Sequence, residues 1–140
     1  MTTPSVSGII QLDNSHADDK YSSQRISNRI AKAPQEVSDI YVALTAFLTG
    51  LGDDVQIKKL KFYIAFKRIK NFACVEVYPQ AKTVAAYLKI DPTTVAIEEG
   101  FTRVVRQIGH FGTGDLEVSM KSLDDFAKAQ PLFVRAYEGG

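Results

Sequence analysis

The sequence predicts an α+β fold, a two-layer sandwich in which an antiparallel sheet of about five strands carries two helices on one face. Three observations predict it: three apolar runs of strand character within residues 61–90, an amphipathic helical stretch before them, and a capped helical stretch near the end of the chain. Helices and strands that are segregated along a chain, without βαβ alternation, are typical of an antiparallel sheet with its helices on one side.

Residues 61–90 predict a three-stranded antiparallel meander with one buried face. In the first run Phe62, Ile64 and Phe66 share one face, because successive side chains of an extended chain point to opposite faces. The charged connection KRIKN ends in Asn and has the length and type of a five-residue loop between antiparallel strands. The second run is dense in β-branched and aromatic residues, and Pro79 ends it. The three predicted strands are 62–66, 72–78 and 83–90.

Two helices are predicted to cover the buried face. The first spans 35–49, where Pro34 suits a first turn and apolar residues recur at helical spacing. The second follows Ser122, a capping residue with Asp125 three positions later, and Pro131 should kink this helix or divide it in two. The predicted inner stripes are Val37, Ile40, Leu44, Phe47, Leu48 and Leu51 in the first helix, and Leu123, Phe126, Ala127, Val134 and Tyr137 in the last.

Shorter patterns predict the rest of the sheet. Alternation of Leu116, Val118 and Met120 with polar residues predicts the last strand. The glycines of GHFGTGD, at 109–115, suit the hairpin loop that leads into this strand. Two further strands, the first of them a short edge strand, are predicted at 53–60 and 103–108.

Length and composition indicate one globular domain. The 140 residues are 45% hydrophobic and 24% charged, which is typical of a chain that buries a core without disulfides. The single Cys74 cannot pair internally, which favours a reducing, cytoplasmic compartment. One Cys and two His cannot form a zinc site, and we expect no cofactor.

Charge and hydropathy restrict the partners. A net charge of +1 excludes a global field that attracts polyanions, so nucleic-acid binding would need a local patch. No apolar run is long enough to span a bilayer, and we expect no membrane partner. Residues 1–33 are rich in polar residues and predict a flexible or weakly ordered segment, and 34–140 predict the domain.

Three segments of the sequence resemble one domain family. They are YIAFKRIKNFACVEVYP, GFTRVVRQIGHFGTGDLEVSM and FAKAQPLFVRAYE, with KxxxNF at 67–72 and GHxGTGDLEV at 109–118 as the most specific pieces. Together they resemble the DUF5655 family, a bacterial and archaeal domain family of unknown function, over roughly residues 36–138. The order of elements is also similar to the layout of MmcQ/YjbR-like domains, which are suspected of DNA binding.

The resemblance implies a domain that often ends longer proteins, behind nuclease-like or other domains of mobile defence systems. Many relatives carry the label "predicted transport protein", which the absence of a membrane-spanning run in this sequence does not support. The resemblance implies no established catalytic residues. The roughly 35 residues before the domain cannot hold a nuclease core, so we expect a complete chain to act alone or in trans.

A basic stretch is the first candidate site. Between Val55 and Val75 the chain has six basic residues and no acidic one: Lys58, Lys59, Lys61, Lys67, Arg68 and Lys70. Such a surface can hold phosphates, and Tyr63 and Tyr78 nearby could stack unpaired bases. Arg103 and Arg106, on a strand expected to be a neighbour, would widen it. The alternative is that the lysines protect an exposed sheet edge from aggregation, a common use of charge runs.

The loop before the last strand is the second candidate site. It brings together His110, Asp115 and Glu117, a trio that could coordinate a divalent metal or transfer protons in a small hydrolase. The alternative is structural, because glycines and an Asp are what a tight connection requires and Glu117 is expected to face outward. Cys74 has no predicted basic partner and is expected to be a small core residue.

These observations predict a non-catalytic binding or accessory module that contacts nucleic acid, or a nucleic-acid-processing partner such as a nuclease, through a basic sheet edge. Two alternatives remain open. One is a homodimerisation domain that uses an open sheet edge or the outer sheet face with Tyr63 and Tyr87. The other is a small hydrolase centred on the GHFGTGDLE loop.

Overall fold

The computed structural model describes residues 25–106 and 112–140, and the described chain forms an α+β sandwich as predicted. Its helices are α1 (Ile26–Lys32), α2 (Gln35–Thr49) and α3 (Leu123–Tyr137). Its strands are β1 (Gln56–Lys59), β2 (Ile64–Arg68), β3 (Lys70–Tyr78), β4 (Thr83–Leu88), β5 (Thr102–Val104) and β6 (Leu116–Met120). A short 3-10 helix, Pro92–Thr94, follows β4.

The six strands form one antiparallel sheet in the order β1-β2-β3-β4-β6-β5. The predicted meander of β2, β3 and β4 is present and lies inside the sheet, and β1 is the predicted short edge strand. After β4 the chain passes to the far edge as β5 and returns between them as β6. Consequently β1 and β5 lie at opposite edges. The predicted strand 103–108 is realised over Thr102–Val104, and its residues 107 and 108 lie outside the described chain.

The β2–β3 hairpin is tighter than predicted. Residues 67–71 were expected to form a loop, but β2 continues to Arg68 and β3 begins at Lys70, which is the register partner of Arg68. Only Ile69 lies between them, in the left-handed conformation with φ 65°. Phe72 has no register partner on β2 and bulges from the ladder, which explains why its ring reaches the helix layer and packs edge-on against Tyr137.

Helices α2 and α3 pack on one face of the sheet and enclose the main core. Helix α2 has the predicted bounds, and its buried residues are Val37, Ile40, Leu44 and Leu48. The ring of Phe47 meets those of Phe126 and Phe133 on α3, at centroid distances of 5.8 and 6.2 Å. Each fully buried large side chain contributes about 1.5–3 kcal/mol, so this layer outweighs any exposed ion pair.

The inner stripe of α3 differs from the prediction. The buried residues are Phe126, Ala129, Phe133 and Ala136, whereas Leu123 is 51% exposed and Ala127 faces water. The spacing is helical, but the two alanines let the helix approach the sheet closely and so set its rotation. The Ser122 hydroxyl accepts a bond from the Asp125 amide, as the sequence predicted. The helix continues through Pro131 and is not divided.

Helix α1 lies within residues 1–33, which were expected to be flexible or weakly ordered. Ile26 is 1% exposed within the main core, and its amide donates to the Lys61 carbonyl at 2.9 Å. Pairing of β2 with β3 ends at Ile64 and Val75, so the last residues of β3 extend beyond β2. There Arg29 of α1 donates to the Glu76 carboxylate at 3.0 Å. Residues 26–32 are therefore ordered and anchored, because they cover this part of the β3 edge.

The outer face of the sheet, opposite α2 and α3, is also partly buried. We define the outer cluster as Ala65, Cys74, Ala85, Tyr87 and Val105. Partly buried Leu60, Tyr63 and Tyr78 pack against it. The prediction of a single buried face is therefore wrong. The reason is that the segments flanking β5 and β6 return across this side of the sheet, which periodicity within a strand does not reveal.

Candidate nucleic-acid interface

The predicted basic residues do not all share one region. Lys58, Lys59, Lys61, Lys67, Arg68 and Lys70 lie on β1, β2, the start of β3 or the connections between them. Arg103 lies on β5, and Arg106 follows it. The prediction that they come from a neighbouring strand is wrong, because β5, which carries Arg103, lies at the opposite edge of the sheet from β1, five strand spacings or about 24 Å away. Arg106 lies beyond the end of β5 and contacts Asp115 near the hairpin end of the sheet.

Arg68 is occupied by contacts within the domain. Its Nε donates to the Asp54 carboxylate at 2.8 Å, and one of its Nη atoms donates to the Tyr137 carbonyl at 3.0 Å. Its guanidinium also lies 4.3 Å from the centre of the Tyr137 ring. The Tyr137 hydroxyl donates to Asp54 at 2.6 Å, and this bond, followed by Arg68, lowers the pKa of the Asp54 carboxyl. Arg68 therefore links α3 to the hairpin end of β2.

Arg103 and Arg106 are likewise paired with carboxylates. Arg103 forms a two-pronged pair with Glu117, with both N–H···O distances at 3.0 Å, and this pairing raises the pKa of Arg103. Arg106 donates to Asp115 and to Asp91, each at 3.2 Å. Three of the eight predicted cationic contacts are thus neutralised by the domain's own acids.

A cleft at the hairpin end of the sheet gathers other lysines. Lys67, Lys70 and Lys89 line it together with Ile69, Asn71, Thr113, Gly114 and Asp115, and we call it the lysine cleft. Its volume is about 500 Å³. Within residues 25–106 and 112–140 none of these three lysines forms an ion pair. Asp115, the one acid among the described lining residues, is bound to Arg106. The cleft therefore presents positive charge that the described chain does not cancel.

Lys58 extends this positive surface along the sheet. Lys58 is the register partner of Ala65, and Lys67 is the partner of Gln56. Ala65 belongs to the outer cluster, so Lys58 and Lys67 are diagonal neighbours on the outer face, about 7–8 Å apart at their Cα atoms. Lys59 pairs with Ile64 and lies on the opposite face of the edge strand, and Lys61 lies in the β1–β2 connection.

The predicted aromatic residues do not line the lysine cleft. Tyr63 is partly buried against the outer cluster. Tyr78 lies at the opposite end of the nine-residue strand β3 from Lys70, about 26 Å along the strand. Its hydroxyl is 3.1 Å from that of Tyr87, and burial raises the pKa of Tyr78 to about 12 and that of Tyr87 further. Both tyrosines are neutral structural groups rather than base-stacking platforms.

The second candidate site is only partly within the described chain. His110 lies outside it. Asp115 and Glu117 are paired with Arg106 and Arg103. Glu117 is the register partner of Tyr87 and lies on the outer face as expected, but it is buried there, with 9% exposure. Across the described residues no three His, Cys, Asp or Glu side chains gather as a metal site would require.

The glycines of this loop have a structural explanation. A Cβ on Gly114, with φ 130°, would lie 2.7 Å from the backbone of Tyr87, and one on Gly112 would lie 2.7 Å from the Cys74 sulfur. The Thr113 amide donates to that sulfur at 3.4 Å. Cys74 is fully buried, as predicted, and burial raises the pKa of its thiol. The loop end therefore lies directly on the outer face.

Two structural features were missed from the sequence. Lys89 was read as part of a strand, but β4 ends at Leu88, which leaves Lys89 beside the hairpin. The Arg29–Glu76 pair joins α1 to β3, and its Glu76 side chain is 3% exposed. A glutamate inside an otherwise apolar strand run was the available signal for a buried partner.

Comparison with known proteins gives a family and one relative. The model of a family described as "Domain of unknown function (DUF5655)" matches residues 26–139, from the first residue of α1 almost to the end of the chain. An uncharacterized protein of Haemophilus influenzae is 25% identical over 96 residues, which are 69% of this chain and 31% of the relative. The chain thus spans about a third of that relative's length.

A search of solved structures and an inspection of the helices both gave negative results. No solved structure matches the chain. Among the described helices, none combines the length and the apolar character needed to cross a membrane.

Proposed function

The chain belongs to the DUF5655 family, a domain family of unknown function, and from its surface we propose that it is a non-catalytic accessory module that binds nucleic acid. The lysine cleft and Lys58 beside it form the contact surface. Lysines are compact point charges that hold phosphate oxygens without reading sequence, so the binding is expected to depend on charge rather than on base identity.

One observation carries the proposal. In the described chain Arg68, Arg103 and Arg106 have carboxylate partners, but Lys67, Lys70 and Lys89 meet at one cleft without any. Unpaired cations that lie close together repel one another and raise the local positive potential. A bound anion such as phosphate lowers that potential. Lysines that only guard an edge strand have no need to converge from β2, from β3 and from beyond β4.

Salt-dependent titration of a fluorescent DNA duplex tests the proposal. The variant Lys67→Gln/Lys70→Gln should bind more weakly, and its slope of log K against log salt should be lower by about 1.8, since each phosphate contact contributes about 0.9. The matched control Lys32→Gln/Lys121→Gln removes the same charge from exposed positions outside the cleft and should bind as the parent does. Equal affinity and slope for both double variants would exclude the lysine cleft as the contact surface.

Self-association through a sheet edge is a second candidate. Ile57 on β1 and Val104 on β5 are 48% and 43% exposed, and each lies on an edge strand. Tyr87 cannot contribute as first expected, because it is 3% exposed. Light scattering over a range of concentrations should then give a dimer that Ile57→Lys or Val104→Lys abolishes. A constant monomer mass would exclude this candidate without touching the first.

A further inference from the structure

Within the part of the chain that the structure describes, Ile69 at the tip of the β2–β3 hairpin has no packing that calls for an isoleucine. Its side chain is 90% exposed, the highest value among the large apolar residues of the described chain. Its φ of 65° lies in the left-handed region, which a β-branched residue rarely adopts. Glycine or asparagine would suit this backbone better, and burial gives isoleucine no compensation. A strained and exposed apolar residue at a hairpin tip indicates a role in binding.

The surroundings of Ile69 are cationic. It lines the lysine cleft, and Lys67 and Lys70 are two residues and one residue away from it on the two strands of the hairpin. Lys89, the residue after the end of β4, lines the same cleft. Arg68 is turned away toward Asp54 and Tyr137. The hairpin tip therefore carries one apolar projection with lysines beside and behind it.

We propose that Ile69 is a wedge that enters between stacked base pairs of duplex DNA while Lys67, Lys70 and Lys89 hold the flanking phosphates. This inference rests on the proposed function and names its ligand class. Architectural DNA-binding proteins insert apolar side chains, isoleucine among them, between base steps, partly unstack them and bend the duplex. A two-stranded β-ribbon is narrow enough to approach a DNA groove.

The composition of the cleft favours duplex DNA over the other polyanions. Proteins that hold single strands stack bases on aromatic rings, and none of the eight described residues that line the cleft is aromatic. An anionic membrane would also attract the lysines, but one isoleucine buries far less apolar surface than a single acyl chain, which by itself anchors proteins only marginally. A wedge between bases needs only one such side chain.

The test uses a short DNA duplex with 2-aminopurine, whose fluorescence rises when it unstacks. The parent protein should raise this fluorescence on saturation. Ile69→Gly suits the backbone and removes the wedge, so it should keep the salt slope of the parent, bind about tenfold more weakly and give no fluorescence rise. Ile69→Met restores an apolar projection and should restore the rise. The control Val42→Ala removes another exposed apolar side chain and should behave as the parent does.

The outcomes separate the wedge from the proposed function. Binding that depends on the lysines, together with an unchanged fluorescence rise in Ile69→Gly, would overturn the wedge and leave the proposed function in place. A DNA affinity that is the same in the parent and in Lys67→Gln/Lys70→Gln would overturn the proposed function itself. Ile69-dependent binding to phosphatidylserine vesicles without any unstacking of DNA would assign the tip to membranes and end the wedge proposal.

Discussion

Arg103 and Glu117 face each other on β5 and β6 and are joined by two N–H···O bonds of 3.0 Å. The Glu117 side chain is 11% exposed and that of Arg103 is 56% exposed. The carboxylate is thus largely buried, and the arginine covers it from the solvent side. Arg103 stabilises the domain instead of being available for phosphate, because its removal would leave a buried charge without a partner.

Replacement of Arg103 should therefore destabilise the domain. For Arg103→Ala we expect the free energy of unfolding to fall by about 1–3 kcal/mol, less than for a fully buried pair because water reaches the guanidinium. Urea unfolding measures it. The double variant Arg103→Ala/Glu117→Gln should lose less than the two single variants summed. Strictly additive losses would contradict the pairing. The control Arg106→Ala should lower the free energy of unfolding much less, because the two carboxylates that Arg106 contacts are about half exposed.

Two glycines offer a matched pair of substitutions. Gly114 and Gly100 both have positive φ, but a Cβ on Gly114 would meet the Tyr87 backbone, whereas one on Gly100 would meet nothing within 4 Å. Gly100→Ala should cost only the backbone strain, about 1–2 kcal/mol. Gly114→Ala should cost more than that, because the β4 backbone cannot yield easily. Thermal unfolding compares them, and equal losses would show that the close approach to Tyr87 is unimportant.

The strain at Ile69 predicts a stabilising substitution. Ile69→Asn should raise the free energy of unfolding by about 0.5–1 kcal/mol, because asparagine tolerates the left-handed region and the lost side chain buries nothing. Lys82, with φ 53°, is the other described non-glycine residue of this kind, and Lys82→Asn should stabilise similarly. Denaturant midpoints measure both effects. A loss of stability in Ile69→Asn would mean that the isoleucine has a packing role.

The paired hydroxyls of Tyr78 and Tyr87 predict a loss of stability at alkaline pH. Burial raises the pKa of both above the value of about 10 expected in the unfolded chain, and that of Tyr78 to about 12. The neutral hydroxyls therefore stabilise the fold fully below pH of about 10, and this contribution declines as pH rises toward and through 12.

Comparison with a variant isolates this effect from the titration of lysines. Between pH of about 9 and 12 the parent should lose about 1–2 kcal/mol more than Tyr78→Phe/Tyr87→Phe, a figure reduced for partial solvent access. Urea unfolding across the range measures the difference. Parallel pH profiles for the two proteins would contradict the assignment.

Periodicity was sufficient for the elements whose faces are simple. Helix α2 and strands β2, β4 and β6 were predicted because apolar residues recur on one side of each, and β3 was predicted from its density of β-branched and aromatic residues. It was insufficient for α3, whose close approach to the sheet depends on Ala129 and Ala136 rather than on its larger apolar residues. The sequence also predicted a five-residue loop at 67–71, where β2 and β3 in fact continue up to the single residue Ile69. The reason is that the charged residues at these strand ends resemble those of a loop.

The sequence by itself determined the α+β class, the meander and the concentration of positive charge between residues 55 and 75, because these depend on local order along the chain. Which cations remain available was decided only by the tertiary structure. Strand order placed Arg103 at the far edge of the sheet, folding paired three arginines with acids, and the end of β4 placed Lys89 beside the hairpin. Charge pairing is a contact between residues distant in sequence, so it exists only once the sheet has formed.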